Sequence, residues 1–493
     1  MQHGGRQSLG TRLQRDRVEQ DSRETESPES TSFGARMGRE FLETLVAFAP
    51  LGLVAFGGPP AHIALLHAEF VERRRWIPPS VFLELMALGQ GLPGPTSTQM
   101  VLMVATARGG MLAGLVAFIM WTLPGFSLLT PAGYGVARNP AVPNYIQGLA
   151  PAAISLVFIA AFKITAKVCS SDPFKLIIAT ATACTTILVQ TSDGYNPTTF
   201  SWLFPAMLVG AGFLYLCLRG ERRNSEFQKM HDGDDEDHDG WWESKKFTLP
   251  IGISLGVAAL VLWTGLLAVS SSLRWGGYLV NYPRCMQYFE AFYRMGSLIY
   301  GGGQVVLPMM LTEVTQQGWV TEDEYYDGLG LVQALPGPLF NFASFLGAAA
   351  SADQGLVSSI VSALSAWSGI FLPGILLIFG VAPFWMRLRE SRIFKEFLQG
   401  VNAASAGLVV SACVLLWEGA ISSGADASVA MITGTLVGLV GVPAPIGIAA
   451  GAAAGAALGP SGLNLGTNGL RGHSISSQPP MPPSYNYDDS TYG

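Results

Sequence analysis

Two Pro-Gly-Pro tripeptides, Pro93-Gly94-Pro95 and Pro336-Gly337-Pro338, interrupt apolar stretches of the chain 243 residues apart. Each break frees backbone groups that lipid cannot satisfy, so it is tolerated only against protein or a wet cavity. In the run LPGPTSTQ at 92–99, a helix restarting at Pro95 with Gly94 near its cap leaves its first N–H groups pointing outward. Those donors and the positive end of the helix dipole make an anion site. The hydroxyls of Thr96, Ser97 and Thr98 and the Gln99 amide add donors to it. The run FGGPPAH at 56–62 makes a second break at Gly57, Gly58 and Pro59. His62 beside it could donate to an anion or titrate near neutral pH. The plain alternative for either cluster is a proline kink that helps helices pack.

Glu69, Glu84, Glu313 and Asp327 lie in or beside apolar runs, where ionisable groups mark proton relays or ion paths unless an interface solvates them. Arg73, Arg74 and Arg75 either attract anions to a mouth or only fix topology. The acidic tract HDGDDEDHDG at 231–240 places Asp237 where a calcium loop needs glycine, and reads as a solvated linker. No serine-histidine-acid set, Walker loop or dinucleotide fingerprint occurs in a suitable context. Neither an enzymatic activity nor a cofactor nor a bound metal is therefore expected.

The elements that must position these residues are membrane helices. The chain of 493 residues is 49% hydrophobic and only 13% charged, about half the usual ~25%, with a mean hydropathy of +0.35. A net charge of -6 gives no basic footprint for nucleic acid. The five cysteines are too scattered for a disulfide framework or a zinc site. Residues 1–40 read as a polar, disordered tail without a cleavable signal peptide, and 219–246 as a charged hydrophilic linker. Residues 461–493 read as a flexible tail. Between them, 41–218 and 247–460 hold about 10–13 apolar runs of spanning length, among them 41–58, 81–106, 285–309 and 328–351. The fold class expected is all-α, a polytopic membrane protein with broken or re-entrant Gly/Pro helices.

The two membrane regions are copies of one unit. At the offset of 243, Trp76 meets Trp319, Gln90 meets Gln333, Glu84 meets Asp327 and the Pro-Gly-Pro runs coincide. With one residue of slippage Gly57-Gly58 meets Gly301-Gly302 and Glu69 meets Glu313; a second Leu-Pro-Gly recurs at 123–125 and 372–374. The second copy is recognisable from about 285. Such duplication is the architecture of secondary transporters, with the site where the halves meet; a channel would share it. Arginines before the first Pro-Gly-Pro helix, against Glu322, Asp323 and Glu324 before the second, favour inverted repeats. One full crossing before the arginines would place them outside. A re-entrant first segment returns them to the cytoplasm but then upsets the sidedness of the linker.

At these motifs the sequence resembles the chromate ion transporter family, in its long two-domain form. The family carries an FGGP-x-AH segment, a Glu-Phe-Val stretch leading through arginine to tryptophan, and a Q-x-LPGP segment. Here these read FGGPPAH at 56–62, EFVERRRWI at 69–77 and QGLPGPTSTQ at 90–99. The second half reads YGGGQVVLP at 300–308, EVTQQGWV at 313–320 and QALPGPLFNF at 333–342, without the arginines, the His62 equivalent or the hydroxyl-rich turn. The resemblance covers roughly 41–460 and implies chromate export at the expense of the proton gradient, with sulfate as a close analogue. An uptake system for sulfate or another anion, an anion channel and a membrane scaffold are the alternatives.

The expected anion contacts are Gly57, Gly58, His62, Gln90, Gly94, Thr96, Ser97, Gln99, Gly302, Gln333 and Gly337, shaped by Pro59, Pro93, Pro95, Pro336 and Pro338. Protons would couple through Glu69, Glu84, Glu313 or Asp327. The expected partners are the oxyanion and the lipid bilayer, in a multi-pass protein of the plasma membrane that could pair as a homodimer.

Overall fold

The computed structural model describes residues 33–56, 58–139, 148–169, 172–192, 203–219, 250–276, 282–299, 303–384 and 391–458. The expected contacts Gly57 and Gly302, both tails and most of the linker lie outside them. The described residues form sixteen helices. The first half comprises α1 (Phe33–Val54), α2 (Gly58–His67, running into a π turn at Ala68–Arg73), α3 (Pro79–Gly91), α4 (Thr96–Arg138), α5 (Leu149–Cys169), α6 (Pro173–Gln190) and α7 (Leu203–Arg219). α8 (Pro250–Trp275) leads into the second half: α9 (Arg284–Leu298), α10 (Val306–Gln316), α11 (Glu322–Ala334), α12 (Phe342–Ala350), α13 (Leu356–Val381), α14 (Arg392–Ala420), α15 (Gly424–Thr435) and α16 (Ala444–Leu458).

Helix α4 is two helices. Gly110 has φ 80 and ψ -176, and Gly114 packs on Thr106 and Leu102, so the chain reverses at Gly109-Gly110. The arm before it (96–108, here α4a) is about 20 Å long at 1.5 Å per residue, too short to cross a ~30 Å core; the arm after it (111–138, α4b) is about 42 Å and crosses. The Pro-Gly-Pro turns reverse the chain as well. The Tyr325 and Phe342 rings lie 4.9 Å apart, whereas a straight helix would separate them by about 25 Å. The stacked Phe48 and Phe70 rings, at 4.5 Å, fold α2 back along α1 in the same way.

Each half therefore opens with two re-entrant hairpins followed by one full crossing, and the expected spans at 41–58, 81–106, 285–309 and 328–351 are corrected accordingly. Among the described residues six helices are long and apolar enough to cross a membrane. The hairpins enter from opposite ends. α4b starts at the mouth of its own hairpin, and its last residue, Arg138, donates to the carbonyl of Ala352 (3.1 Å), at the mouth of the second-half hairpin. The re-entrant α1–α2 puts Arg73–Arg75 at the end where α1 begins, with Arg108 bonded to Glu43 (2.9 Å). With α4b, α5 and α6 crossing, and the shorter apolar helix α7 of 17 residues taken as a fourth crossing, the linker returns to that arginine end and the sidedness is consistent.

The correspondence extends to the helix bounds: α3 and α11 are both 13 residues long and lie 243 apart. They start differently. α3 has Pro79 at its first position, while α11 is opened by a capping box between Thr321 and Glu324, with Glu322 and Asp323 against the helix dipole. The one-residue slippage is located too. It is the extra residue of the π turn at Ala68–Arg73, where Arg74 N donates to Glu69 O (2.9 Å).

The halves interlock at their turns. Gly94 N donates to Ile299 O, and Gly337 N to Ala55 O, both at 2.8 Å. Gly94 lies against Gly374 of α13, and Gly337 against Gly125 of α4b. The recurrent Pro-Gly pairs at 124–125 and 373–374 are thus the surfaces on which the opposite turns rest. The two are unequal. A Cβ on Gly125 would meet the Asn341 amide and lie 2.8 Å from Pro336 O, whereas one on Gly374 meets nothing nearer than Pro95 Cδ at 3.3 Å. Gly125→Ala is expected to cost about 1–3 kcal/mol by overpacking and Gly374→Ala less, read as thermal unfolding in detergent. Equal losses would contradict this asymmetric seam.

Candidate functional site

At the first turn Gly94 sits at φ 128 and its N–H is taken by Ile299, so it is not the bare donor expected from sequence. Gly337, at φ 114 with its N–H on Ala55, is corrected in the same way. What these glycines supply is close approach: a Cβ on Gly94 would lie 2.6 Å from Gln99 Nε2 and 3.1 Å from Gly374 Cα. The helix starts one residue later than expected, at Thr96, with Pro95 as a cap that has no side-chain bond to offer. Gln99 N is the first to bond backward, to Pro95 O (2.9 Å).

Thr96, Ser97, Thr98 and Gln99 are all buried. Thr96 Oγ1 reaches Gly89 O at 3.4 Å, and Gln99 Nε2 donates to Pro93 O at 2.8 Å. Thr98 Oγ1 and Gln99 Oε1 are buried without a partner among the described residues. Buried polar groups are nearly always paired, so these two need an explanation. Both line a small cavity with Pro95, Leu102, Phe118, Phe371, Gly374 and Ile375, which has room for about one water.

The second turn is filled differently. Leu339, Phe340 and Asn341 form a 3-10 turn ahead of α12, and Asn341, the counterpart of Thr98, is fully engaged. Its Nδ2 donates to Thr122 O (3.0 Å) and its Oδ1 accepts from Trp367 Nε1 (3.2 Å). Gln333 Nε2 is buried without a partner, while Gln90 is half-buried. Pro59 lies in the first turn of α2, after Gly58 at φ 76.

Comparison with known proteins matches the two halves separately. The family described as "Chromate transporter" covers residues 42–216 and 286–456. The chain belongs to the chromate transporter family. The "Chromate transport protein" of Cupriavidus metallidurans is 23% identical over 399 residues, 80% of this chain and 87% of that protein. That of Pseudomonas aeruginosa is 26% identical over 398 residues, 79% and 84% respectively. The "Uncharacterized transporter YwrA" of Bacillus subtilis is 28% identical over 173 residues, 34% of this chain but 92% of its own length, so a single half exists as a separate chain. No solved structure is significantly similar.

In this chromate transporter family member the four acids expected to carry protons have unlike surroundings. Glu69 pairs with Arg74 and with Arg73 (3.2 Å). Glu313 belongs to a closed quartet: Arg274 bonds Glu290 (3.1 Å) and Glu313 (2.7 Å), and Arg294 bonds Glu290 (3.2 Å) and Glu313 (2.9 Å). With two guanidinium partners apiece, Glu69 and Glu313 are built as ion-pair members. Glu84 is half-buried and engaged. Asp327 is buried and its Oδ2 meets no partner among the described residues. His62 is also buried, its ring edge-on to Trp121 at 5.1 Å and facing the Ala55 backbone.

The quartet residues Arg274, Glu290 and Arg294 escaped sequence reasoning, as did Asn341 and Trp367. A signal for the quartet was present, since Glu290 and Arg294 sit four apart inside an otherwise apolar run.

Proposed function

We propose that this protein exports chromate across the plasma membrane as a proton-coupled carrier, holding the dianion on the first turn of α4a. The observation that carries this reading is the asymmetry of the two turns. The first offers an uncapped helix N-terminus, an unpartnered hydroxyl and a small cavity; the second is closed by Asn341. Chromate would accept from the Thr96–Thr98 amides and the Thr98 hydroxyl, where the helix dipole favours negative charge. Sulfate, of the same shape and charge, should compete.

The cavity, which Phe118 and Phe371 help to line, is too small for the anion, which favours a carrier that opens to one side at a time over an open pore. The arginine end is assigned to the cytoplasm by the positive-inside rule. From there the site lies about 20 Å deep, the length of α4a.

The test is chromate flux in proteoliposomes with sulfate as competitor and an imposed pH gradient. Thr98→Val keeps the shape and deletes the donor. A hydrogen bond to a charged group is worth about 1.5–3 kcal/mol, so chromate affinity should fall about 10- to 100-fold. Thr186→Val, on α6, whose hydroxyl bonds only Thr182 O (2.8 Å), should leave affinity unchanged. Wild-type affinity in Thr98→Val would remove the turn from the site.

A further inference from the structure

Arg75 is the one non-glycine residue with positive φ among the described residues, at φ 51. Its position explains the conformation. It follows the last turn of α2, where a left-handed residue lets the chain turn away while the next N–H bonds back to the helix; Trp76 N donates to Phe70 O at 2.8 Å. The second half builds the same turn, with Trp319 N donating to Val314 O at 2.9 Å. There the left-handed residue is Gly318, at φ 64. Glycine is what this position calls for, and the first half holds an arginine there despite the strain.

Packing does not account for that choice. The Arg75 side chain is exposed and meets no partner among the described residues. Its neighbours are occupied: Arg73 and Arg74 bond Glu69, and the Arg74 guanidinium also lies 5.5 Å from the Trp76 ring centroid. Arg73 and Arg74 share the one carboxylate of Glu69, and of the triplet only Arg75 has no ion-pair partner among the described residues. It stands on the rim of the hairpin that leads to the Thr98 site, because Arg108, next to the Gly109-Gly110 reversal, also lies over Trp76 at 5.5 Å.

We propose that Arg75 is the anion-capture residue of the arginine end, drawing a tetrahedral oxyanion to the mouth of the first-half hairpin. This rests on the chromate reading above. A guanidinium suits such an anion, which it can bind with two parallel bonds, and a lone charge at a mouth raises the encounter rate in a salt-dependent way. A lipid phosphate shares the chemistry. Headgroup sites, however, are built from clusters of free basic residues, and here Arg73 and Arg74 are both tied to Glu69.

The test uses the full chain in phosphatidylcholine vesicles, with chromate presented to the arginine end. Initial rates are taken in salt of about 10 mM and about 1 M, where the Debye length is ~30 Å and ~3 Å. Arg75→Gly, the residue of the second half, should raise the half-saturating chromate concentration by about 3- to 10-fold in low salt. The maximal rate should stay the same and the gap should close in high salt. Its unfolding temperature should equal or exceed that of the wild type, since the strain is relieved, which separates capture from a structural role. Arg75→Lys should retain most of the low-salt affinity.

Unchanged half-saturation in Arg75→Gly at low salt overturns the inference. So does a shift that appears only when phosphatidylglycerol is added, which would assign the guanidinium to headgroups. A wild-type protein that moves no chromate removes the parent reading before any variant is compared.

Discussion

Asp327→Asn is expected to abolish uphill chromate movement while leaving downhill exchange intact. Three of the four acids expected from sequence to carry protons have partners: Glu69 with Arg73 and Arg74, Glu313 in the quartet, and Glu84 through its own contacts. Asp327 alone combines burial with a carboxylate oxygen that meets no donor. An ionisable group in that setting is a proton-relay candidate by default. It sits in α11, the arm leading to the closed second turn, so proton and anion would act on opposite hairpins, each tied at its turn to the first hairpin of the other half, Gly94 to Ile299 and Gly337 to Ala55. Asparagine keeps the shape and cannot take up a proton. With a coupling of about 1–3 kcal/mol, the stimulation of chromate flux by an imposed pH gradient should fall by about tenfold or more. Chromate–chromate exchange without a gradient should persist. Glu69→Gln serves as the contrast and should keep its response to the gradient. An Asp327→Asn protein that still concentrates chromate to the wild-type level would take Asp327 out of the coupling.

The repeat, the all-helical membrane fold and the location of the turns were legible because they depend on residue type and spacing. Trp76 and Trp319, Gly94 and Gly337, and the acids at 84 and 327 keep their register through the duplication. Chain direction was not legible. The apolar runs 81–106 and 328–351 have the length of a crossing, and a length criterion cannot see that Tyr325 folds back onto Phe342. The helix start at Thr96 was visible to within one residue. The fate of the Gly94 amide was hidden, because its acceptor, Ile299, belongs to the other half of the chain. Sequence also showed that the second half lacks the arginine triplet. It did not show that Glu313 recovers arginine partners from α8 and α9, since that depends on how three distant segments pack.

Those recovered partners lead to a prediction about stability. Arg274 on α8, Glu290 and Arg294 on α9, and Glu313 on α10 hold two positive and two negative charges in a ring of four ion pairs, each at 2.7–3.2 Å. All four side chains are buried, at 9% exposure or less. Deleting one member strands charge where lipid and protein cannot solvate it, which typically costs about 3–5 kcal/mol. Arg294→Met should therefore be strongly destabilised, as should Glu313→Met. Removing both together leaves Arg274 and Glu290, which already face each other at 3.1 Å, as a neutral pair. The double variant should recover most of the loss, because a balanced buried pair contributes little over apolar packing. A double-mutant cycle on thermal unfolding in detergent isolates the coupling, expected at about 4 kcal/mol or more if each single loss is about 3–5 kcal/mol and the double variant recovers most of it. Additive losses would mean that the two side chains stabilise the fold separately, through packing rather than through each other. The same cycle tests the internal symmetry. Glu69 occupies the equivalent repeat position, but its arginines are local and Arg73 is 71% exposed, so solvent can take over when one is removed. Arg73→Met should accordingly cost less than about 1 kcal/mol, although the two glutamates descend from one ancestral residue.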